Sequence, residues 1–469
     1  MAAASGLHCY REVLPVMSDA TPSIAAAAAD LAAGRTTAVA LAEAALARIA
    51  DPAGEGARAF MEVQAEQALA SARSMDALRA AGRAPSPWAG IPISIKDLFD
   101  QEGVRTRAGS VALKDAPVAT ATAPVVARLQ RAGFVVLGRT NMVEFAFSGL
   151  GVNPHYGTPR SPYDRATGRL PGGSSSGAAV AVADGMGLGA LGSDTGGSCR
   201  APAALCGIVG YKPTAKRVPL EGVLPLSFSL DSIGPLANTV GCCAILHGLM
   251  AGEEEVAPPA PRSVAGLRFG VPEDSYLFEG LEPAVVTAFQ SALARLEAAG
   301  ARIERFAIPE LADIPLANAT GGFVAMESYA WHRKLIEKAG PEYDQRILAR
   351  IMRGATVGAA DYIELMKERE RIIAAVAPRT APYDAILCPT CAVTPPAISA
   401  VDEVDEYNRI NLLILRNTAA FNFLDRCSIS VPCHAPGEAP VGLMLTGAHD
   451  GDAALFSAAA AVEAVLKAA

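Results

Sequence analysis

Glycine and serine are concentrated in residues 172–214, which have the sequence GGSSSGAAVAVADGMGLGALGSDTGGSCRAPAALCGIVGYKPT. Glycine lacks a Cβ, so a segment rich in it can turn with positive φ and lets another group approach the backbone closely. A simple core or a surface loop does not need this density of glycine. The segment therefore predicts a functional site built from tight turns.

Short apolar runs alternate with amphipathic stretches along the chain, which predicts an α/β fold. A buried strand is predicted over 91–96, because an apolar run there ends in two charged residues. Other strands are predicted at 134–137, 267–271, 301–306, 384–388, 428–431 and 440–446. Helices are predicted at 23–50 with a break at Gly34, 61–81, 120–131, 177–186, 283–299, three stretches within 320–378, and from 451 onward.

The composition limits the possible partners. Of the 469 residues, 51% are hydrophobic and 19% are charged, so the chain can bury a large core. A net charge of −8 argues against a nucleic-acid surface, which needs clustered cations. No uncharged run reaches the ~18 residues of a membrane span. Neither nucleic acid nor a membrane is therefore expected as a partner.

The first residues and the cysteines indicate the cell compartment. Residues 1–16 lack the continuous apolar region of a secretory signal, which predicts a cytoplasmic location. Residues 1–20 are predicted to form a disordered extension, with Met17 as a second candidate start. The nine cysteines have irregular spacings that suit reduced thiols. The C-x-x-C of Cys388 and Cys391 leaves a redox or metal role open.

Two patterns inside residues 172–214 indicate other chemistries but lie in the wrong context. Residues 187–192 match G-x-G-x-x-G, yet they follow a predicted helix, whereas a dinucleotide site needs a strand followed by a helix. Residues 173–177 match G-x-S-x-G, which would make Ser175 the nucleophile of an elbow turn. The polar segment 163–171 before it is not the apolar strand that such an elbow requires. None of the six histidines lies in a Gly/Ser context, and no metal-binding histidine spacing occurs.

A third interpretation combines the segment with an upstream lysine. The first serine of G-G-S-S-S-G is followed 24 residues later by the serine of D-T-G-G-S-x-R, and residues 92–97 give P-x-x-I-K-D. In these motifs the sequence resembles the amidase signature family, from about residue 27 to the C-terminus. The resemblance implies a central mixed β-sheet covered by helices on both faces, and an amidase that acts on a small-molecule amide. Neither a metal nor another cofactor is expected.

The resemblance also implies roles for individual residues. It places the family's nucleophile on Ser198, its bridging serine, preceded by a cis peptide bond, on Ser174, and its lysine on Lys96. The family's oxyanion hole of main-chain N–H groups falls on Thr195, Gly196 and Gly197. These residues imply attack on a carboxamide carbon, loss of ammonia or an amine, and hydrolysis of an acyl-enzyme.

The chemistry of these side chains supports the same roles. A serine hydroxyl is a poor nucleophile until a base removes its proton, and a lysine can be that base only when neutral. Burial among isoleucines would lower the pKa of Lys96 toward that state. Asp97 would oppose this shift if it faced Lys96, so it is expected to point away. Ser174 would then pass the proton from Ser198 to Lys96.

Three further residues are expected to support the site. Asp194 and Arg200 flank the nucleophile, and a local ion pair or helix cap is favoured over direct substrate contact. Ser175 is expected to hydrogen-bond within the loop, and a bond to the relay serine is open to it.

A second class of function shares these motifs. The glutamine-hydrolysing subunit of a tRNA-dependent amidotransferase resembles G-G-S-I-R-Q-P at the nucleophile and M-D-E-F upstream. This chain has G-G-S-C-R-A-P at 196–202 and M-V-E-F at 142–145, and both departures favour the amidase. A catalytically inactive binding protein is disfavoured, since all three catalytic positions are occupied.

The resemblance also implies the domain organisation. The composition changes at residues 253–263, EEEVAPPAPRS, which predicts a linker. A single catalytic domain is expected over 21–469, with a Gly/Ser-rich core at about 85–250 and a variable half that forms the substrate pocket at about 264–469. A homodimer is compatible with the resemblance, and no motif decides it.

Overall fold

The structure of the protein is a computed structural model that describes residues 21–468. The predicted extension at residues 1–20 lies outside the described residues. Eleven strands are present within the described part of the chain: β1 Phe60–Val63, β2 Pro92–Lys96, β3 Val135–Thr140, β4 Gly189–Asp194, β5 Val209–Lys212, β6 Ser232–Ala237, β7 Arg268–Val271, β8 Arg302–Arg305, β9 Ala385–Pro389, β10 Ser428–Pro432 and β11 Gly442–Thr446.

Fifteen α-helices connect and cover these strands in the same part of the chain. They are α1 Ile24–Ala32, α2 Ala38–Ala50, α3 Gly56–Ala59, α4 Ala65–Ala80, α5 Pro124–Arg131, α6 Ser176–Ala183, α7 Arg200–Cys206, α8 Val240–Ala251, α9 Pro283–Ala298, α10 Asp313–Ala317, α11 Gly322–Ala339, α12 Gln345–Met352, α13 Ala359–Thr380, α14 Val404–Phe423 and α15 Asp452–Lys467.

All eleven strands form one mixed sheet in the order β1-β3-β2-β4-β6-β5-β10-β11-β9-β7-β8. Strand β2 runs parallel to both β3 and β4, and β7 runs parallel to both β8 and β9. The strands between β4 and β9 pair antiparallel. The sheet therefore combines two parallel groups with an antiparallel centre, and strands from before and after residues 253–263 belong to it.

Every residue of β2, β3, β4 and β6 is buried. Since successive side chains of a strand point to opposite faces, both faces of this part of the sheet are covered. Helix α6 packs against β4, and α8 packs against β6. The predicted α/β fold with a central mixed sheet is confirmed.

The predicted helix over 61–81 is wrong at its start. Residues Phe60–Val63 form the edge strand β1, which pairs antiparallel with β3, and the helix begins only at Ala65. Pairing with a neighbouring strand outweighs the helical propensity of this segment, as tertiary context often does.

The sequence prediction also missed eight elements, namely β4, β5, β6, α3, α7, α8, α10 and α14. The three strands contain glycine, serine or proline, residues that are rare in strands. Among the described residues, no helix is long and apolar enough to cross a membrane.

Candidate active site

Lys96 is the last residue of β2, whose carboxyl end lies between those of its parallel neighbours β3 and β4. The apolar residues of β2 hold the strand in the sheet interior, and Lys96 itself is fully buried. The carboxyl ends of adjacent parallel strands are a common location for binding sites in α/β proteins. The turn that follows β4 therefore lies beside Lys96.

The Nζ atom of Lys96 makes three hydrogen bonds, all to serine hydroxyls. It lies 2.7 Å from Oγ of Ser174, 2.9 Å from Oγ of Ser175 and 2.8 Å from Oγ of Ser193. Within residues 21–468, Lys96 forms no ion pair with a carboxylate. Burial lowers the pKa of Lys96 to about 8, although the negative charges of Asp194 and Asp231 act in the opposite direction. A larger share of this lysine is therefore neutral near physiological pH than of an exposed one.

Ser174 lies in the loop just before α6, and the peptide bond between Gly173 and Ser174 is cis, as predicted. Its carbonyl oxygen accepts a hydrogen bond from the N–H of Val143, and Gly173 donates to the carbonyl of Gly149. These two bonds join the serine loop to the segment that follows β3. The loop thereby holds the Ser174 hydroxyl against Lys96.

Ser198 lies in the turn between β4 and α7. Its carbonyl oxygen accepts a hydrogen bond of 3.3 Å from the N–H of Ser175, which brings the two serine-bearing segments together. Among the described residues, the hydroxyl of Ser198 has no hydrogen-bond partner, so the contact between the Ser174 and Ser198 hydroxyls that the predicted proton relay needs is not formed. Hydrogen bonds of this kind are often long before substrate binds.

The N–H groups of the turn differ in availability. The N–H of Gly197 donates to Oδ1 of Asp194 at 2.8 Å, whereas those of Thr195, Gly196 and Ser198 have no acceptor among the described residues. The Gly197 N–H is thus engaged, which removes it from the predicted set of free oxyanion donors. The glycine itself is required, because a Cβ there would lie 2.1 Å from Oγ1 of Thr418 and φ is +135°.

Asp194 and Arg200 form a fully buried ion pair, as the local-pair interpretation predicted. Asp194 also accepts hydrogen bonds from the N–H groups of Gly197 and Cys199 and from the side chain of Asn422. Burial alone would raise the pKa of Asp194, but the charge and hydrogen bonds of Arg200 outweigh it and hold this pKa well below its usual range. The pair therefore fixes the turn that carries Ser198.

Replacing Arg200 with leucine should destabilise the protein by about 3–5 kcal/mol, because it leaves the Asp194 carboxylate buried and uncompensated. Urea denaturation at pH 7 measures this loss. The carboxylate of Asp194 has a lowered pKa in the folded state, so its stabilising contribution is present above the unfolded pKa and is lost as the pH falls. Arg409→Leu, which breaks the exposed pair with Glu406, is the control and should change stability little. A comparable loss in both variants would contradict the role given to the buried pair.

Asp97 is buried and points away from Lys96, as expected. Its carboxylate accepts hydrogen bonds from Arg139 at 2.7 Å and from the N–H of Gly109 at 3.3 Å. Burial raises the pKa of Asp97, while Arg139 opposes this shift. Asp97 therefore supports the end of β2 through Arg139 rather than by pairing with Lys96.

Two functional candidates were not found from the sequence. Ser193, on β4, is the third hydroxyl around Lys96, and its only sequence signal is its place one residue before Asp194. Asp231, which immediately precedes β6, accepts a hydrogen bond of 2.5 Å from the hydroxyl of Thr195. No motif of the sequence distinguished Asp231 from an ordinary loop aspartate.

The disfavoured patterns lie in the contexts that argued against them. Residues 189–192 lie within strand β4 instead of opening a helix, and in the described part of the chain the residues directly before Ser175 form a loop rather than a strand. The hydroxyl of Ser175 instead accepts a hydrogen bond from Lys96. Burial raises the pKa of the thiols of Cys388 and Cys391 to about 12, which suppresses the reactive thiolate.

Comparisons with known proteins agree with this geometry. A model of the family described as Amidase matches residues 40–456. The chain is 37% identical over 403 residues to a 2-amino-5-chloromuconic acid deaminase of Comamonas testosteroni, covering 85% of this chain and 87% of that protein. It is 36% identical over 467 residues to a glutamyl-tRNA(Gln) amidotransferase subunit of Chromohalobacter salexigens, covering 92% and 94%. A crystal structure of an amidase superimposes with a TM-score of 0.84 at 32% identity and covers 94% of this chain and 99% of that one.

The α/β fold, the family match and the amidase relatives together support a hydrolase that acts on carbon–nitrogen bonds. The chain belongs to the amidase signature family.

Proposed function

We propose that this protein hydrolyses the C–N bond of a small carboxamide through an acyl-enzyme on Ser198. The observation that carries the proposal is the fully buried Lys96, which has a lowered pKa and three serine hydroxyls around Nζ. A buried lysine without a carboxylate partner is costly for stability. The three serine hydroxyls at Nζ and the position of Lys96 beside the Ser198 turn suit a base better than a structural cation.

The neutral form of Lys96 accepts the proton that activates the nucleophile. Because Oγ of Ser174 is 2.7 Å from Nζ, Ser174 donates its proton to Lys96 and takes one from Ser198 as the Ser198 oxygen attacks the carboxamide carbon. The Ser198 and Ser174 hydroxyls come into hydrogen-bond contact when substrate is bound. Ser175 and Ser193 keep Nζ in place through its other two contacts.

The negative charge that develops on the substrate oxygen is held by main-chain N–H groups. The free donors of the turn are those of Thr195, Gly196 and Ser198, and the ion pair of Asp194 and Arg200 fixes the same turn. Donors that are already in place cost no reorganisation during the reaction, so they stabilise the transition state strongly.

The leaving group and the product follow from the same proton path. Ammonia or an amine departs with the proton that returns from Lys96 through Ser174, and the acyl group stays on Ser198. Water then attacks the acyl-enzyme and loses a proton to Lys96 along the same path. This proton returns through Ser174 to the Ser198 oxygen as its bond to the acyl carbon breaks, and the acid that is released ionises to a carboxylate.

A second candidate is the glutamine-hydrolysing subunit of a tRNA-dependent amidotransferase. It is favoured by the 36% identity, over 92% of this chain, to a subunit of a glutamyl-tRNA(Gln) amidotransferase. It is disfavoured by the C-R-A-P sequence after the nucleophile and by the valine at position 143. In that role the chain would act with partner subunits.

The test is ammonia release by the protein purified alone, with a panel of aliphatic, aromatic and peptide carboxamides that includes L-glutamine. We expect release from a carboxamide other than glutamine, and none from the Ser198→Ala control. Release from glutamine only, and only after partner subunits are added, would support the second candidate. Folded protein that hydrolyses no carboxamide and does not react with a fluorophosphonate would contradict both.

A further inference from the structure

Asp231 is a buried carboxylate that lies beside the proposed oxyanion turn and takes no part in the mechanism above. It accepts a hydrogen bond of 2.5 Å from the hydroxyl of Thr195. Its second oxygen accepts hydrogen bonds from the N–H groups of Leu226 at 2.9 Å and Ser227 at 3.1 Å. One carboxylate therefore joins the turn after β4 to residues 226–231, which we call the anchor loop.

The anchor loop is itself tied to helix α11. The carboxylate of Glu327 accepts hydrogen bonds from the hydroxyl of Ser227 and from the N–H of Ser229, the latter at 3.0 Å. The hydroxyl of Tyr362, on α13, donates to the same carboxylate at 2.7 Å. The anchor loop thus connects the Thr195 side chain to two helices of the second half of the chain.

We propose that Asp231 is a positioning residue for the reaction: its carboxylate fixes the Thr195 side chain and, through it, the N–H groups of Thr195 and Gly196 in the oxyanion hole. The inference rests on the proposed function, because it needs an oxyanion to form on this turn. Asp231 contacts no reacting atom, so its effect passes through Thr195.

Holding the Thr195 hydroxyl can position the N–H groups of the oxyanion hole because of the shape of the threonine side chain and of the turn that follows it. Threonine is branched at Cβ, so holding its hydroxyl restricts χ1 and the adjoining backbone together. A hydrogen bond from a hydroxyl to a carboxylate is stronger than a neutral one. Gly196 and Gly197 follow directly and offer little resistance to backbone rotation. The Asp231 contact is therefore one restraint on the amino side of the hole, where the hydroxyl of Ser232 also donates to the carbonyl of Asp194 at 2.8 Å. On the other side the N–H of Gly197 donates to Asp194, and the carbonyl of Gly196 accepts a hydrogen bond of 2.6 Å from the hydroxyl of Thr418.

The test is the rate at which a fluorophosphonate reacts with Ser198, followed by intact-protein mass spectrometry. The phosphoryl oxygen of this probe occupies the oxyanion hole during attack, so the rate reports the hole without a known substrate. Thr195→Val removes only the hydroxyl and should slow the reaction by about 10- to 100-fold at unchanged probe affinity, because misplaced donors lose this much. Asp231→Asn should slow it as well. The double variant should be no slower than the slower single variant, since both changes break one contact.

Two controls separate positioning from general destabilisation. Thr195→Ser keeps the hydroxyl and should retain most of the wild-type rate. Thr214→Val removes a buried threonine hydroxyl that donates to Asp452 at 2.7 Å, and it should retain the wild-type rate. A merely structural role for Asp231 would reduce the fraction of protein that reacts and leave the rate of that fraction unchanged.

The outcomes distinguish the inference from the function on which it rests. If wild-type protein reacts at Ser198 and Thr195→Val reacts at the same rate, the inference is overturned while the proposed function stands. If folded wild-type protein neither reacts nor releases ammonia, the proposed function fails and the inference falls with it. Should Asp231→Asn not fold, the isosteric Thr195→Val variant alone decides.

Discussion

Replacing Ser198 with alanine should lower kcat by about 10⁶-fold, as removal of the nucleophile does in serine hydrolases. In the described residues, the other serines near Lys96 are Ser174, Ser175 and Ser193, and each already has its hydroxyl at Nζ. None of them lies in the turn that carries the free N–H groups, so none can replace Ser198. Steady-state ammonia release from the carboxamide found in the panel measures the loss, and a fluorophosphonate should leave the variant unlabelled.

Ser176→Ala is the matched control for the loss of a serine hydroxyl. Ser176 is buried at the start of α6, and its hydroxyl has no hydrogen-bond partner within residues 21–468. The variant should keep wild-type activity and be labelled at Ser198. Peptide mapping that located the label on Ser175 would contradict the assignment and support the elbow interpretation.

The sequence was sufficient to predict the fold class but not every strand. Strands β2, β3, β9 and β10 are rich in isoleucine, valine or leucine, and their apolar runs predicted them correctly. Strand β6 contains Gly234, where a Cβ would lie 1.8 Å from the carbonyl oxygen of Tyr211 on β5. Because the two main chains approach so closely, this position needs a glycine, and the sequence lacks the apolar side chain by which a strand is recognised. The strand state of β6 is thus fixed by its neighbours rather than by its own composition.

In the candidate site, too, the residues within sequence motifs could be predicted, whereas the contacts that depend on the folded chain could not. Lys96, Ser174 and Ser198 stand in motifs that resemble those of the amidase signature family, so their segments could be identified from the sequence. Ser193 contacts Lys96 only because β4 pairs beside β2, a neighbour relation that the sequence does not state. The engagement of the Gly197 N–H by Asp194 likewise depends on the conformation of the turn. The contacts missed were therefore those that depend on strand pairing or on the conformation of a turn.

Replacing Lys96 with methionine should lower kcat by about 10²- to 10⁴-fold, the usual contribution of a positioned base. In the wild-type enzyme, activity should rise with pH, with a midpoint near the pKa of about 8 that burial gives Lys96. The sign follows from the mechanism: the neutral amine is the active form, so protonation below this pKa removes activity. The variant should lose this pH dependence. Initial rates measured for both proteins from about pH 6 to about pH 10 give the loss of kcat and the loss of the pH dependence.

The same substitution should not unfold the protein. Burial lowers the pKa of Lys96 in the folded state, so the unfolded chain binds more protons between the two pKa values and the charged lysine opposes folding at neutral pH. Methionine fills similar space without this cost, and a melting temperature at pH 7 close to that of the wild type is expected. A structural ion pair would give the opposite result, but Asp97 is paired with Arg139 instead.

Lys212 provides the matched control for this prediction. It is also fully buried, at the end of β5, and burial lowers its pKa to about 8 as well, so a pH midpoint alone would not identify Lys96. Its Nζ donates to the carbonyl of Pro213 and, within residues 21–468, to no serine. Lys212→Met should therefore retain both the activity and its rise with pH. If Lys96→Met folds and keeps a near-wild-type kcat, or if the pH dependence disappears in Lys212→Met instead, Lys96 is not the base.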